Sequence, residues 1–311
     1  MRKDNIQVQL SIVSPVYKAE VLIPFLVAEI KKAVEPLEID YEIILIEDGS
    51  PDCSWSAIQS AVADDNRVKG IKLSRNFGQH IAITAGLEHS SGDWIVVMDC
   101  DLQDEPRHIP ALVAKANTGF QVVTVKRIER QDKKRKKISS IIFYGLFAYM
   151  TDRRQDSSIA NYGIYHRDVI NAVLAMGDYV KFFPAQIQWV GFRQTSLPLP
   201  HAARKSGSTS YNWRRLCSLA VNNILSFSDK PLKIATGFGF LVASLSFVLG
   251  VVYLLMGLFG IIAVSGFVSI IVSLFFTTGS IVLVVGIVGL YVGKTFESSK
   301  NRPLYIVESI F

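Results

Sequence analysis

The chain has 311 residues, half of them hydrophobic, and a formal net charge of +6. Residues 234–293 contain no Asp, Glu, Lys, Arg or His, so all 33 Lys and Arg and all 27 Asp and Glu lie elsewhere. That split speaks against a wholly soluble or a disordered protein, and the long polar part ahead of the apolar block speaks against one built mainly within the bilayer.

The first residues, MRKDNIQVQLSIV, are interrupted by Asp4, Asn5, Gln7 and Gln9 and do not read as a signal peptide. Short β-branched runs then predict strands at Val8–Val13, Tyr41–Ile46, Val68–Leu73, Trp94–Met98 and Gln121–Val125. Helical patterns fall between them near Val21–Val34, Trp55–Ala63, Ile81–His89 and Ile109–Ala116. This alternation predicts an α/β fold with a largely parallel sheet, whose ligands bind beyond the carboxyl ends of the strands.

Lys126–Lys137 (KRIERQDKKRKK) carries the whole of the net charge; the rest of the chain balances to neutrality. So local a patch is not a nucleic-acid surface. It reads as a solvated loop or, preferably, as a segment held at an anionic membrane surface. Ile138–Met150 (ISSIIFYGLFAYM) follows. It is too short to span a bilayer and reads as a buried core helix or, slightly favoured, an interfacial one. Asp168–Ala175 is predicted helical, Gln188–Leu199 a strand, His201–Ser210 a polar loop and Tyr211–Phe227 an amphipathic helix. Two apolar segments, Ile234–Gly257 and Phe267–Gly293, each exceed the ~20 residues a membrane helix needs. Lys230 and Lys233 precede them, Lys294, Lys300 and Arg302 follow, and the connection is uncharged. Both flanks are therefore expected on the cytoplasmic side. The domain plan is a cytoplasmic catalytic part over 1–211, a juxtamembrane segment over 212–233, a hairpin over 234–293 and a cytoplasmic tail over 294–311. Cys53, Cys100 and Cys217 form no disulfide or zinc pattern.

Five stretches carry chemistry. WIVVMDCDLQDEP at Trp94–Pro106 ends a buried strand with Asp99 and Asp101 two residues apart. Such a pair suits Mg²⁺ or Mn²⁺, which take hard oxygen ligands and bridge to phosphate. SPVYKAE at Ser14–Glu20 and EDGSPD at Glu47–Asp52 both follow strands. Asp48 there could accept hydrogen bonds from a base or ribose, although both stretches also read as ordinary turns. LSRNFGQ at Leu73–Gln79 offers Arg75 to a phosphate or to a nearby carboxylate. RKSGSTSYNWRRL, from Arg204, flanks a glycine- and serine-rich loop with Arg204 and Lys205, as a phosphate clamp or a linker would.

These stretches, with WVGF at Trp189–Phe192, SFSDKPL at Ser226–Leu232 and NRPLY at Asn301–Tyr305, resemble glycosyltransferase family 2 and, within it, the polyprenyl-phosphate glycosyltransferases. The resemblance covers nearly the whole chain. It implies a Rossmann-like, glycosyltransferase A-type nucleotide-sugar fold, a divalent metal and inversion at the anomeric carbon. It places Asp99, Asp101, Gln103 and Asp104 at the catalytic centre, with Asp101 and Asp99 on the metal. Pro15, Tyr17, Glu20, Asp48, Arg75, Arg204 and Lys205 would line the nucleotide-sugar site. Where many relatives carry an acidic residue, this chain has Asn161 within ANYGIYHR. Asn is no base, but a lipid monophosphate, with a second pKa of about 6, arrives largely dianionic. Arg127, Arg130, Arg153 and Arg154 are candidates to hold it beside Asn161.

The expected activity is transfer of one sugar from a nucleotide-sugar, UDP-linked by preference, to undecaprenyl or another polyprenyl phosphate at the cytoplasmic face of the inner membrane, for modification of a cell-envelope glycan. The expected partners are that donor, that acceptor, the lipid bilayer and further copies of the chain, through small residues such as Gly237, Gly239 and Ser244. A different acceptor, or a non-catalytic membrane role, are the alternatives.

Overall fold

The computed structural model describes residues 10–128, 159–178, 181–200, 230–259 and 266–311. The described residues up to 200, together with Arg302–Phe311, form one compact unit, and those from Lys230 to Asn301 a second.

In the first unit the strands are β1 Leu10–Val16, β2 Tyr41–Glu47, β3 Val68–Leu73, β4 Trp94–Val97, β5 Val122–Ile128, β6 Ile159–His166, β7 Gln194–Pro200 and β8 Val307–Ile310. They form one sheet in the order β7-β5-β6-β4-β1-β2-β3-β8. β4, β1, β2 and β3 run parallel and make its centre. β6 is antiparallel to β4 and β5, while β8 is antiparallel to β3. The sheet is therefore parallel at its centre and mixed toward its edges.

Helices α1 Ile23–Val34, α2 Ser54–Asp64, α3 Gln79–Glu88, α4 Ile109–Ala116, α5 Arg167–Leu174 and α6 Phe183–Trp189 cover it. β1, β2 and β4 are almost wholly buried on both faces, in keeping with their many Val, Ile and Leu residues. On one face Ile12, Leu45, Val96 and Tyr162 pack with Ile23, Leu26 and Ile30 of α1, Ile58 of α2 and Leu112 of α4. On the other, Val13, Ile46 and Val97 pack with Ile83 and Leu87 of α3, Val169 of α5 and Phe183 of α6. Gly86 lets α3 approach closely: a Cβ there would lie 2.5 Å from side-chain carbons of both Val13 and Ile46. α1 begins beside Pro24, a favoured first-turn residue, and stops ahead of Pro36.

Two expectations change, and ANYGIYHR acquires an element. The stretch predicted as a strand from Gln188 starts instead as the end of α6, and the strand begins at Gln194. Gln186 and Ile187 are buried at a helical rather than a two-residue spacing. The ANYGIYHR segment is β6, the partner of β4. The stretch read as a tail from 294 continues the preceding helix to Ser299, and Val307–Ile310 then joins the sheet as β8.

The second unit contains α7 Lys230–Leu258 and α8 Phe267–Ser299. Both are long and apolar enough to cross a membrane, over Lys230–Leu249 and Phe276–Ser299. Large apolar side chains such as Phe240, Phe247, Leu274 and Val285 are exposed, which water does not favour and lipid does. The expected helices at 138–150 and 211–227 lie outside the described residues.

The amino end of the sheet is tied by one buried carboxylate. Glu42 accepts from Ser11 Oγ (2.6 Å), Ser91 N (2.6 Å), Ser91 Oγ (2.8 Å) and Lys69 Nζ (2.6 Å). Burial alone would raise its pKa. The hydrogen bonds from Lys69, Ser11 and Ser91 outweigh burial and bring it from about 4.5 down to about 2. A carboxyl lowered by folding stabilises the native state above its unfolded pKa, and that contribution disappears as pH falls from about 4.5 through about 2. By linkage the shift is worth about 3 kcal/mol. Glu42→Gln is accordingly expected to lower the thermal midpoint at pH 7 and to flatten its decline between pH 5 and 3. Parallel melting curves for the two proteins over that range in detergent would refute this.

Candidate active site

β4, β1, β2 and β3 share one direction, so the loops that follow them meet along one rim of the sheet. Each of these loops holds a residue with positive φ: Lys18 (55°), Gly49 (62°), Gly78 (101°) and Leu102 (58°). Two of the four are not glycine, and such backbone strain gathers at functional loops.

The rim is cross-braced by hydrogen bonds. Ser50 Oγ accepts from Lys18 N (3.1 Å), and Ser54 Oγ accepts from Ala19 N (3.0 Å). Glu20 accepts from Cys53 N (3.2 Å) through Oε2. Glu47 is buried and accepts from Ser50 N. Asp48, 3% exposed, turns toward the next loop, where Oδ1 accepts from Phe77 N (2.7 Å) and Oδ2 from Gly78 N (2.9 Å). Asn76 Nδ2 returns a bond to Asp48 O (2.8 Å). Burial pushes the Asp48 carboxyl upward, against the pull of those two backbone donors. Gly49 is required where the loops touch, since a Cβ would lie 2.3 Å from Asn76 N and 2.6 Å from the Arg75 carbonyl carbon.

Asp99 and Asp101 follow β4. Asp99 Oδ1 accepts from Gln79 Nε2 (2.6 Å), at the first turn of α3. Asp101 Oδ1 accepts from Gln103 N (3.1 Å), which folds the DLQ turn back on itself. Cys100, between them, packs against the core; burial pushes its thiol up to about 12 and it stays protonated. Asp104 is buried near Tyr162, whose phenol is raised by burial and then by the Asp104 and Glu105 charges. Tyr162 Oη donates to Glu105 O (2.9 Å) and ties β6 to this loop. The β4–β6 register ends with Val97 facing Gly163, and Asn161 lies two residues before Gly163 on β6.

The expected site residues thus divide. Asp48, Arg75, Asp99, Asp101, Gln103 and Asp104 lie on the rim loops, and Asn161 lies on β6. Tyr17 is exposed on the first loop. Arg75 lies over the Phe77 ring at 4.0 Å. Pro15 is buried within β1, beyond the last residue paired with β4, so its missing N–H costs no ladder bond there. Glu20 is exposed, and its carboxylate braces the turn before α2. Arg127 lies in β5; its side chain, and Arg130, Arg153, Arg154, Arg204 and Lys205, lie outside the described residues. Sequence reasoning missed Gln79, the last residue of LSRNFGQ, whose contact with Asp99 depends on where α3 starts.

Among the described residues no three His, Cys, Asp or Glu side chains cluster closely enough to hold a metal unaided. Two carboxylates after one strand do fit a cation that takes its remaining ligands from a bound diphosphate, the usual arrangement for Mg²⁺.

The glycosyl transferase family 2 model matches residues 11–174, which contain β1 to β6 and every rim loop. The chain belongs to glycosyltransferase family 2. Similarity extends well past the family 2 region. Over 97% of this chain and 94% of the relative, it is 32% identical to the undecaprenyl-phosphate 4-deoxy-4-formamido-L-arabinose transferase of Proteus mirabilis. Over 97% and 99%, it is 33% identical to a prophage bactoprenol glucosyl transferase homolog of Escherichia coli. Among solved structures, glucosyl-3-phosphoglycerate synthase of Mycobacterium tuberculosis, in complex with Mn²⁺, UDP-glucose and phosphoglyceric acid, superposes with a TM-score of 0.50 at 18% identity. That match covers 70% of this chain and 78% of the synthase. The family 2 fold is therefore the glycosyltransferase A-type sheet expected from the sequence.

For this family 2 site, Asp48→Ala would strand the Phe77 and Gly78 N–H donors at the rim. The expected loss is about 2–6 kcal/mol, at ~1–3 kcal/mol for each of the two unsatisfied groups. Asp48→Asn keeps one acceptor oxygen and should lose less. Thermal unfolding of both variants in detergent checks this; equal midpoints for Asp48→Ala and the parent protein would remove Asp48 as the brace of the rim.

Proposed function

We propose that the chain transfers a single sugar, with inversion, from a nucleotide diphosphate donor to a polyprenyl phosphate at the cytoplasmic face of the inner membrane. UDP is the preferred donor nucleotide. The observation that carries this reading is the presence on one chain of an aspartate pair at the rim of a family 2 sheet and two exposed apolar helices that carry no charge over 234–258 and 267–293. A sugar donor is water-soluble and a polyprenyl acceptor is not, so an enzyme joining them needs both surfaces. The similarity to transferases named for undecaprenyl phosphate and bactoprenol supports the acceptor class.

The residues divide the work as follows. Asp48 orders the loops that receive the nucleoside, and Arg75 presents its guanidinium at the same rim. Asp99, oriented by Gln79, and Asp101, fixed by its own turn, would hold Mg²⁺ or Mn²⁺. A bound divalent cation would supply charge neutralisation for the departing diphosphate. The Mn²⁺ complex of the structurally similar synthase agrees with such a site. Arg127, Arg130, Arg153 and Arg154 are assigned to the acceptor phosphate, and Arg204 and Lys205 to closure over the donor. The acceptor oxygen attacks the anomeric carbon as the bond to the diphosphate breaks, which inverts that centre. A phosphate that is already dianionic needs positioning more than deprotonation, in keeping with an amide at Asn161 where many relatives carry an acidic residue.

β8 also supports the topology. The chain leaves the first unit for α7 and α8 and returns to the sheet at Val307. Two crossings bring it back to the side from which it left. Basic residues on both flanks favour the cytoplasmic side.

The decisive measurement is mass spectrometry of lipid extracted after incubating the purified protein with undecaprenyl phosphate, Mg²⁺ or Mn²⁺, and UDP- and GDP-sugars. A new glycosyl-phospholipid mass is expected with one donor, and Asp101→Ala is expected to lower its formation roughly 10²–10³-fold, the scale of losing an electrostatic stabiliser. No product with any donor from folded protein, or full turnover by Asp101→Ala, would overturn the reading.

A further inference from the structure

The last seven residues are bound into the donor half of the sheet. Phe311 N donates to Gly70 O (2.9 Å), and Gly70 N donates to Phe311 O (2.8 Å). Ile310 faces Ile71 and Ser309 faces Lys72; the register then shifts, so that Val307 faces Leu73. Beyond the shift, Ser74 N donates to Ile306 O (2.9 Å). Side chains reinforce the ladder. Lys72 Nζ meets Glu308 Oε1 (2.7 Å), the Phe311 ring meets Trp55 edge-on at 5.7 Å, and Tyr305 Oη donates to Glu88 at the end of α3. Burial, then Glu88, pushes the Tyr305 phenol upward, so it stays a donor.

These contacts stop where the rim loop begins. Ser74 is the first residue after β3, and residues 75–78 carry Arg75, the Asn76 amide on Asp48 O and the two N–H groups that Asp48 accepts. Tyr305, Val307 and Phe77 pack on the same apolar cluster. At its other end α3 carries Gln79, the partner of Asp99. The loop at 74–78 is thus held by Asp48 from one side and by the returning C-terminal strand from the other. Only residues 300–304 separate Tyr305 from Ser299, the last residue of α8.

We propose that residues 305–311 position the donor site: seated on β3 and α3, they hold the 74–78 loop in the conformation that Asp48 accepts, so donor affinity depends on the segment that emerges from the membrane helices. The order of the loop follows from the contacts alone, whereas the effect on donor affinity rests on the function proposed above. Tyr305 is in this sense a positioning residue, several elements removed from the reacting atoms.

The test uses the full-length protein in lipid nanodiscs, comparing parent, Tyr305→Phe, Tyr305→Ala and Tyr305→Ala/Val307→Ala. Amide hydrogen exchange at residues 74–78 is expected to quicken at least tenfold in the double variant, while Glu42, Ser91 and the rest of the amino end keep their protection. With the mass-spectrometric assay, KM for the nucleotide-sugar is expected to rise about tenfold, with kcat and acceptor KM within twofold. Tyr305→Phe, which keeps the ring, should recover most of the loss in Tyr305→Ala. Unchanged exchange at 74–78 overturns the proposal. So does a uniform loss of protection across the sheet, which marks a purely structural strand. So does a fall in kcat at constant donor KM. If the parent protein turns over no donor, the proposed function fails on its own, and the exchange data still decide whether the strand orders the loop.

Discussion

Asp48 faces inward at the place where a nucleotide site would have its carboxylates face outward, and the rest of the rim depends on that choice. Its two oxygens accept the backbone N–H groups of Phe77 and Gly78, so the loop after β3 is built on the loop after β2. Gly49 is the corollary, because no side chain fits between Asp48 and the Asn76 backbone. The loop after β3 leads into α3, whose Gln79 reaches Asp99. A single line of hydrogen bonds therefore runs from β2 through β3 and α3 to the aspartate pair after β4. Under the proposed function this one connected brace would carry both the nucleoside end and the diphosphate end of the donor, and such fixed positioning is what catalysis at a loop-built site requires.

The same chain solves two solvent problems separately. In the first unit the apolar strands are covered on both faces by helices, and the polar residues accumulate at the two ends of the sheet: Glu42 with its donors at one, the rim at the other. In the second unit the apolar residues are on the outside. Neither arrangement would survive in the other's medium. The charge pattern follows this division, with none over 234–293 and basic residues at both borders.

Much of this was legible in the sequence. The strands through Val125 and helices α1 to α4 follow from hydrophobic period and turn residues, and the rim residues from their place after strands. Asp99 and Asp101 are legible because they interrupt a buried run. What escaped depends on tertiary contact. Gln188 and Trp189 read as the start of a strand, whereas they end α6. ANYGIYHR is too mixed in polarity to declare itself a strand, yet β4 needs a partner there. Val307–Ile310 has four residues and alternating exposure, and β3, its partner, lies more than two hundred residues away. No local signal announces such a pairing. Asp48 is legible as a polar residue after a strand, but its hydrogen-bond partners in the next loop are not.

Asn161 is where the sequence and the site meet most sharply. It lies on β6 two residues before Gly163, where the pairing with β4 ends, and Asp104 is already buried nearby against Tyr162. A further carboxylate at 161 would add negative charge to a rim that, under the proposed reaction, accepts both a diphosphate and a phosphate dianion. Each added charge in so confined a space raises the cost of bringing the two anions together. An amide keeps a donor and an acceptor at that place and removes the charge. For a nucleophile that needs no deprotonation, that exchange gives up little chemistry and lowers repulsion; for an alcohol acceptor it would give up the base. An amide at 161, where many relatives carry an acidic residue, thus fits the phosphate acceptor of the proposed reaction better than a hydroxyl.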